Sequence, residues 1–149
     1  MSETTYQTFP ESGLAVVRFV GTVTVDDLEA VRLTLAADPL FHASFRGVGD
    51  MRAARFEQDL ATYRAYVERL AALGQRSAIW ALLVETPRET AFQMIWQNLM
   101  NPLQPSELYI TPEAAIDALG ASAHDAGILL ARLADPTAPL AVHVPPLRS

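Results

Sequence analysis

The chain has 149 residues, the size of one ordinary domain, long enough to bury a sizeable core without disulfides or metals. Half of its residues are hydrophobic and 19% are charged, a balance that excludes intrinsic disorder except at the ends. A net charge of -6 argues against nucleic acid as a partner, since counterion release needs a concentrated basic surface, and the absence of cysteine removes thiolate catalysis, disulfides and cysteine-ligated zinc or iron–sulfur centres.

The opening MSETTYQTFPES is acidic and polar, unlike a secretory signal, and no apolar run approaches the roughly 18 residues of a spanning helix. A cytoplasmic protein without a membrane span is expected. In chain order, TYQTF (5–9) and LAVVRFV (14–20) flank the turn PESG and predict a β-hairpin. The period then changes: Thr24 caps a helix, Asp26 and Asp27 sit in its first turn, Leu28, Val31 and Leu35 recur at helical spacing, and Pro39 marks its end. FRGVGDM (45–51) reads as a short buried strand interrupted by glycines.

From about Glu57 to Leu73 the apolar positions Leu60, Tyr63, Val67 and Leu70 share one helical face opposite Asp59, Arg64 and Glu68, with Gly74 as the stop. SAIWALLVE (77–85) is a nearly continuous apolar run, as in a strand covered on both faces. Thr86, Pro87 and Glu89 open a helix that runs to about Met100. ELYI (107–110) is a further strand, Thr111 and Pro112 begin a helix stopped by Gly120, and Ser122 with Asp125 caps a last helix to Ala134. A proline-rich tail follows, in which LAVHV (140–144) has the character of an edge strand. The fold class is therefore α/β: a mixed, mostly parallel sheet of four to five strands with helices on its faces.

This order, with VRFVGTVTVDDLEAV, GVGDMRAARF and AIWALLVETPRETAFQMIWQNL before ELYITPEAAIDAL, resembles the SpoIIAA-like group of STAS domains over roughly residues 5–120. The resemblance implies a STAS-like domain at 1–120, with residues 121–149 as a C-terminal helix and tail packed on the same domain. In the antagonists of that group a serine or threonine at the start of the helix after the third strand is phosphorylated. The matching DMRAARFEQDLATY has no serine, and Thr62 is expected well inside the helix. What the resemblance implies is a non-catalytic regulatory or protein-interaction module without the phospho-switch serine, acting on a protein partner or on itself as a homodimer. The group is also similar in fold to lipid-binding CRAL-TRIO domains, which implies an apolar ligand. The alternative function is thus a binding protein or sensor for a small amphipathic or anionic ligand.

Two sets of candidate residues follow. Ligands in open α/β sheets tend to sit beyond the carboxyl ends of the strands, where Asp50, Arg52, Arg55, Thr86 and Arg88 would gather if the third and fourth strands are neighbours. An anion would meet guanidinium groups there; alternatively, Asp50 pairs with Arg52 or Arg55, and Arg88 with Glu85 or Glu89. Secondly, Met94, Trp96 and Met100 broaden the apolar face of the third helix beyond what one sheet needs to cover. Three occupants are open: the last helix through Ile128, Leu129, Leu130 and Leu133, a second subunit, or an apolar ligand.

His42, His124 and His143 fall in separate elements, so no metal site is expected. No phosphate loop, dinucleotide fingerprint or nucleophile elbow is present, and Glu57, Asp59, Asp26 and Asp27 read as helix-start charges. Neither a cofactor nor catalysis is expected.

Overall fold

The computed structural model describes residues 2–147. The hairpin forms as β1 (Ser2–Phe9) and β2 (Leu14–Val23), paired antiparallel, and Ser12 N–H donates to Phe9 O (3.0 Å) across the turn. Then come α1 (Val25–Ala37), β3 (Arg46–Phe56), α2 (Leu60–Ala72), β4 (Trp80–Leu83), α3 (Pro87–Met100), β5 (Ser106–Tyr109), α4 (Pro112–Leu119), α5 (Ala123–Leu133) and β6 (Val142–His143). Helix starts follow the local signals. Thr24 N–H donates to Asp27 Oδ2 (2.8 Å), and the hydroxyls of Thr86, Thr111 and Ser122 accept from the amides of Glu89, Ala114 and Asp125.

The strands stand in the order β5-β4-β3-β2-β1-β6. β2 to β5 pair in parallel, and β1 runs antiparallel to both β2 and β6. The sheet is mixed, as expected, but has six strands where four to five were expected. The addition comes from the tail, which returns to pair Val142 and His143 with Tyr6 and Thr5.

Three other boundaries differ from expectation. β3 continues to Phe56 because β2 stays beside it, past a bulge between Arg18 and Val20, as far as Val23↔Phe56. The stretch DMRAARF is therefore strand. α2 begins at Leu60, capped by Asp59, which accepts from Thr62 N–H (2.7 Å), so Thr62 lies in the first turn and is exposed. β4 pairs with β3 only from Gly47↔Trp80 to Asp50↔Leu83.

Strand alternation divides the interior into two cores. Ala15, Val17, Phe19, Met51, Phe56 and Trp80 face α1, α2 and α3. Leu14, Val16, Val48, Ala81 and Leu83 face α4 and α5, which contribute Ile116, Leu119, Leu129 and Leu133. The last helix thus lies on the opposite side of the sheet from α3 and does not cover it; this corrects the first of the three occupants considered above. No helix among the described residues is long and apolar enough to cross a membrane.

Candidate functional site

Arg18 and Asp50 are register partners on β2 and β3, both fully buried. A charge placed amid an apolar face must find a counter-charge and fill its hydrogen-bonding capacity, and these two do. Arg18 Nε donates to Asp50 Oδ2 (3.0 Å), while Arg52 Nε and Nη2 donate to Oδ1 and Oδ2 (both 2.9 Å). The remaining donors reach backbone oxygens: Arg18 to Arg132 O (2.7 Å) and Ala138 O (2.6 Å), and Arg52 to Leu133 O (2.7 Å). Residues 132 and 133 close α5, whose C-cap is Ala134 in right-handed geometry rather than a glycine. The two guanidiniums therefore satisfy orphaned carbonyls at the negative end of that helix dipole. Arg46 does the same for Leu119 O at the end of α4.

Thr86 and Arg88 serve the other face. Phe56 lies beyond the end of β4, so its outward backbone groups have no ladder partner. The first turn of α3 supplies them: Phe56 N–H donates to buried Glu89 (3.1 Å), and Arg88 Nη2 donates to Phe56 O (2.6 Å) with its guanidinium 5.5 Å from the Phe92 ring centre. Thr86 Oγ1 in turn donates to Glu89. Arg52 and Arg88 thus lie on opposite faces of the sheet, Arg55 is exposed, and the open depression beside Arg88 also contains Glu57 and Asp59. The expected convergence of Arg52, Arg55 and Arg88 does not occur; Asp50 takes Arg52 as one of its partners, and Arg88 takes a carbonyl instead of Glu85 or Glu89.

A more apolar cavity lies elsewhere, between the sheet and helices α1, α2 and α3, with a volume of about 690 Å3. Small-ligand pockets span about 300–1,000 Å3. Its floor includes Gly49, and Gly47 and Gly49 strip one face of β3 of side chains. That absence is required at Gly47, where an added Cβ would lie 2.5 Å from the Trp80 ring, so the indole can lie flat across the strand. Walls come from Val31 and Leu35 on α1, Tyr63 and Tyr66 on α2, and Trp96 and Met100 on α3. Tyr63 reaches the lining from an aromatic cluster in which Phe92 stacks on Phe56 (5.0 Å) and stands edge-on to Tyr63 (5.0 Å). Burial pushes the Tyr63 phenol far above its ordinary value, so it stays protonated.

Across the cavity, Tyr66 O–H donates to Glu29 (3.1 Å), which also takes a two-pronged contact from Arg32 (2.6 and 2.8 Å). Arg32 holds the Glu29 carboxyl below its ordinary range. This cluster ties α1 to α2. The polar rim is formed by His42, Gln75, Arg76, Ser77 and Gln104, in the loops that precede β3, β4 and β5. That is the amino edge of the parallel strands, opposite the edge expected from strand topology.

Of the three apolar candidates, Trp96 and Met100 line the cavity, while Met94 points away and is half exposed. Trp96 Nε1–H donates to Gln104 (2.6 Å), linking wall to rim. Sequence reasoning did not single out Arg32, Arg76 or Gln93, and considered His42 only as a metal ligand. The signal available was the glycine pair 47 and 49, which marks a bare strand face. Among the described residues, no three histidine, aspartate or glutamate side chains form a metal-binding group. No protein-family model matches the chain, and no curated protein is significantly similar to it.

Proposed function

We propose that this protein binds a small amphipathic molecule and serves as its carrier or sensor. The observation that supports this reading is the cavity of about 690 Å3, walled by aliphatic and aromatic side chains and bordered by polar ones in the loops before β3, β4 and β5. Such a shape accepts a chain or ring system from a mouth that keeps a polar head hydrated. The chain has two tryptophans, Trp80 and Trp96, and both line the cavity, so occupancy changes intrinsic fluorescence.

The test is titration of the protein with anionic, neutral and cationic amphipaths of equal chain length, read by tryptophan fluorescence and melting temperature. At a hundredfold excess over Kd the folded state gains about 2.7 kcal/mol. At about 2–4 °C per kcal/mol, that raises the melting temperature by roughly 5–10 °C. Failure of every amphipath to move either signal overturns the reading.

A STAS-like regulatory module is the second reading. It draws support from the element order hairpin, helix, strand, helix, strand, helix, strand, helix and from the exposed position of Thr62 in the first turn after β3. On this reading the cavity ligand sets the affinity for a protein partner. Equal partner binding with and without ligand would leave the carrier role alone standing.

A further inference from the structure

The cavity lining holds basic side chains and no carboxylate. Arg32, His42 and Arg76 face it, and no aspartate or glutamate does among the described residues, although the chain has 17 acidic residues against 11 basic ones. Arg32 is already neutralised by Glu29. Arg76 is not: it is exposed in the loop between α2 and β4, and no carboxylate among the described residues pairs with it. Within the loop before β3, Ser44 N–H donates to His42 Nδ1 (3.1 Å), which leaves Nε2 as the second polar atom of the ring. The rim thus offers a guanidinium suited to an anion, and an imidazole on the same edge.

A second observation lies deeper. Gln93 is on the cavity wall, 2% exposed, and its side-chain Nε2 has no hydrogen-bond partner among the described residues. Leaving a buried amide nitrogen unpaired is costly, and rotation about the terminal bond lets the same group present a donor or an acceptor. It stands on α3 about two turns before the Met100 end. A purely hydrocarbon occupant leaves it unpaired; an occupant with an oxygen function at that depth does not.

We propose, building on the amphipathic-ligand reading, that the ligand carries one anionic head group held at the amino edge by Arg76 and His42, and an oxygen function along its chain opposite Gln93. Carboxylate and phosphate monoester share the head-group chemistry. The experiment measures affinities of the full chain for dodecanol, dodecanoate, dodecyl phosphate and a mid-chain hydroxydodecanoate.

The anions bind about fivefold or more tightly than dodecanol, the size of a partly exposed charge contact. The combined variant Arg76→Ala with His42→Ala removes that preference, bringing the anions down to the affinity of dodecanol. Hydroxydodecanoate exceeds dodecanoate by about fivefold, one neutral hydrogen bond, and Gln93→Leu abolishes the difference. The tighter of the carboxylate and the phosphate identifies the head group. Dodecanol equal to both anions, or an anion preference that survives the rim variant, overturns the proposal while the cavity reading stands. Binding of none of the four sinks the cavity reading itself.

Discussion

Replacing Asp50 with alanine removes the carboxylate shared by two guanidinium groups and leaves Arg18 charged in a face of the sheet where its side chain is 1% exposed. Arg18 keeps its two carbonyl contacts, which carry only partial charge. Two unit charges 3.0 Å apart interact by about 5.5 kcal/mol at an effective dielectric constant of about 20. Breaking a buried pair by removing one partner costs about 3–5 kcal/mol in practice. That is a large share of the roughly 5–15 kcal/mol that holds a domain together, and it lowers the melting temperature by roughly 6–20 °C. Arg52→Ala costs less, about 1.5–3 kcal/mol, because Arg52 is partly solvated and its loss leaves Arg18 to balance Asp50. Guanidinium and thermal unfolding of both variants measure the two figures. A loss below about 1 kcal/mol for Asp50→Ala, or the reverse ranking, refutes the account. So would a loss of amphipath affinity in the folded variant, since the cavity lies on the other face of the sheet from Asp50.

Val31→Phe, which projects a ring from α1 into the cavity, abolishes the thermal shift caused by amphipaths while changing the stability of the unliganded protein by less than about 1.5 kcal/mol; calorimetry reads both. Gly47→Ala brings a methyl group against the Trp80 ring and costs about 1–3 kcal/mol, with a change in tryptophan emission as the indole moves. Glu89→Ala leaves Phe56 N–H and the start of α3 without their acceptor and lowers stability by about 1–3 kcal/mol in urea unfolding. Burial, with the bond to Asp38, raises the Tyr6 phenol from 10.0 to about 12. The fold favours its protonated form, so the stability advantage of the native protein over Tyr6→Phe is full below pH 10.0, shrinks above it and is lost as pH rises through about 12. Denaturant midpoints across alkaline pH check this.

Local signals carried far in this chain. Thr86, Thr111 and Ser122 announce helix starts because a hydroxyl three residues before an amide is enough to cap it, whatever surrounds the helix. β3 runs longer than its local pattern suggests because the alternation of GVGDM breaks at a bulge, and only the neighbouring β2 carries the strand on to Phe56. Asp50 was legible as paired but not with Arg18, which lies 32 positions earlier and meets it through strand register. A lone arginine in LAVVRFV was the clue, since a charge on an otherwise apolar strand face requires a distant partner. The arginine site expected at the carboxyl edge failed for a related reason: strand alternation and the first turn of α3 send Arg52 and Arg88 to opposite faces. The cavity depends on how α1 stands relative to α2, which no local pattern encodes; its glycine floor and, on α3, Trp96 and Met100 of its wall were written in the sequence.

The grip of Arg18 on Ala138 O has a practical consequence for anyone redesigning the gene. The proline-rich stretch after α5 looks like a dispensable appendage, yet its backbone supplies an acceptor in the middle of the molecule, and its last strand shields part of β1. Shortening the protein before that residue would trade a tidy end for a buried guanidinium donor without its acceptor and an unprotected sheet margin, an invitation to clump.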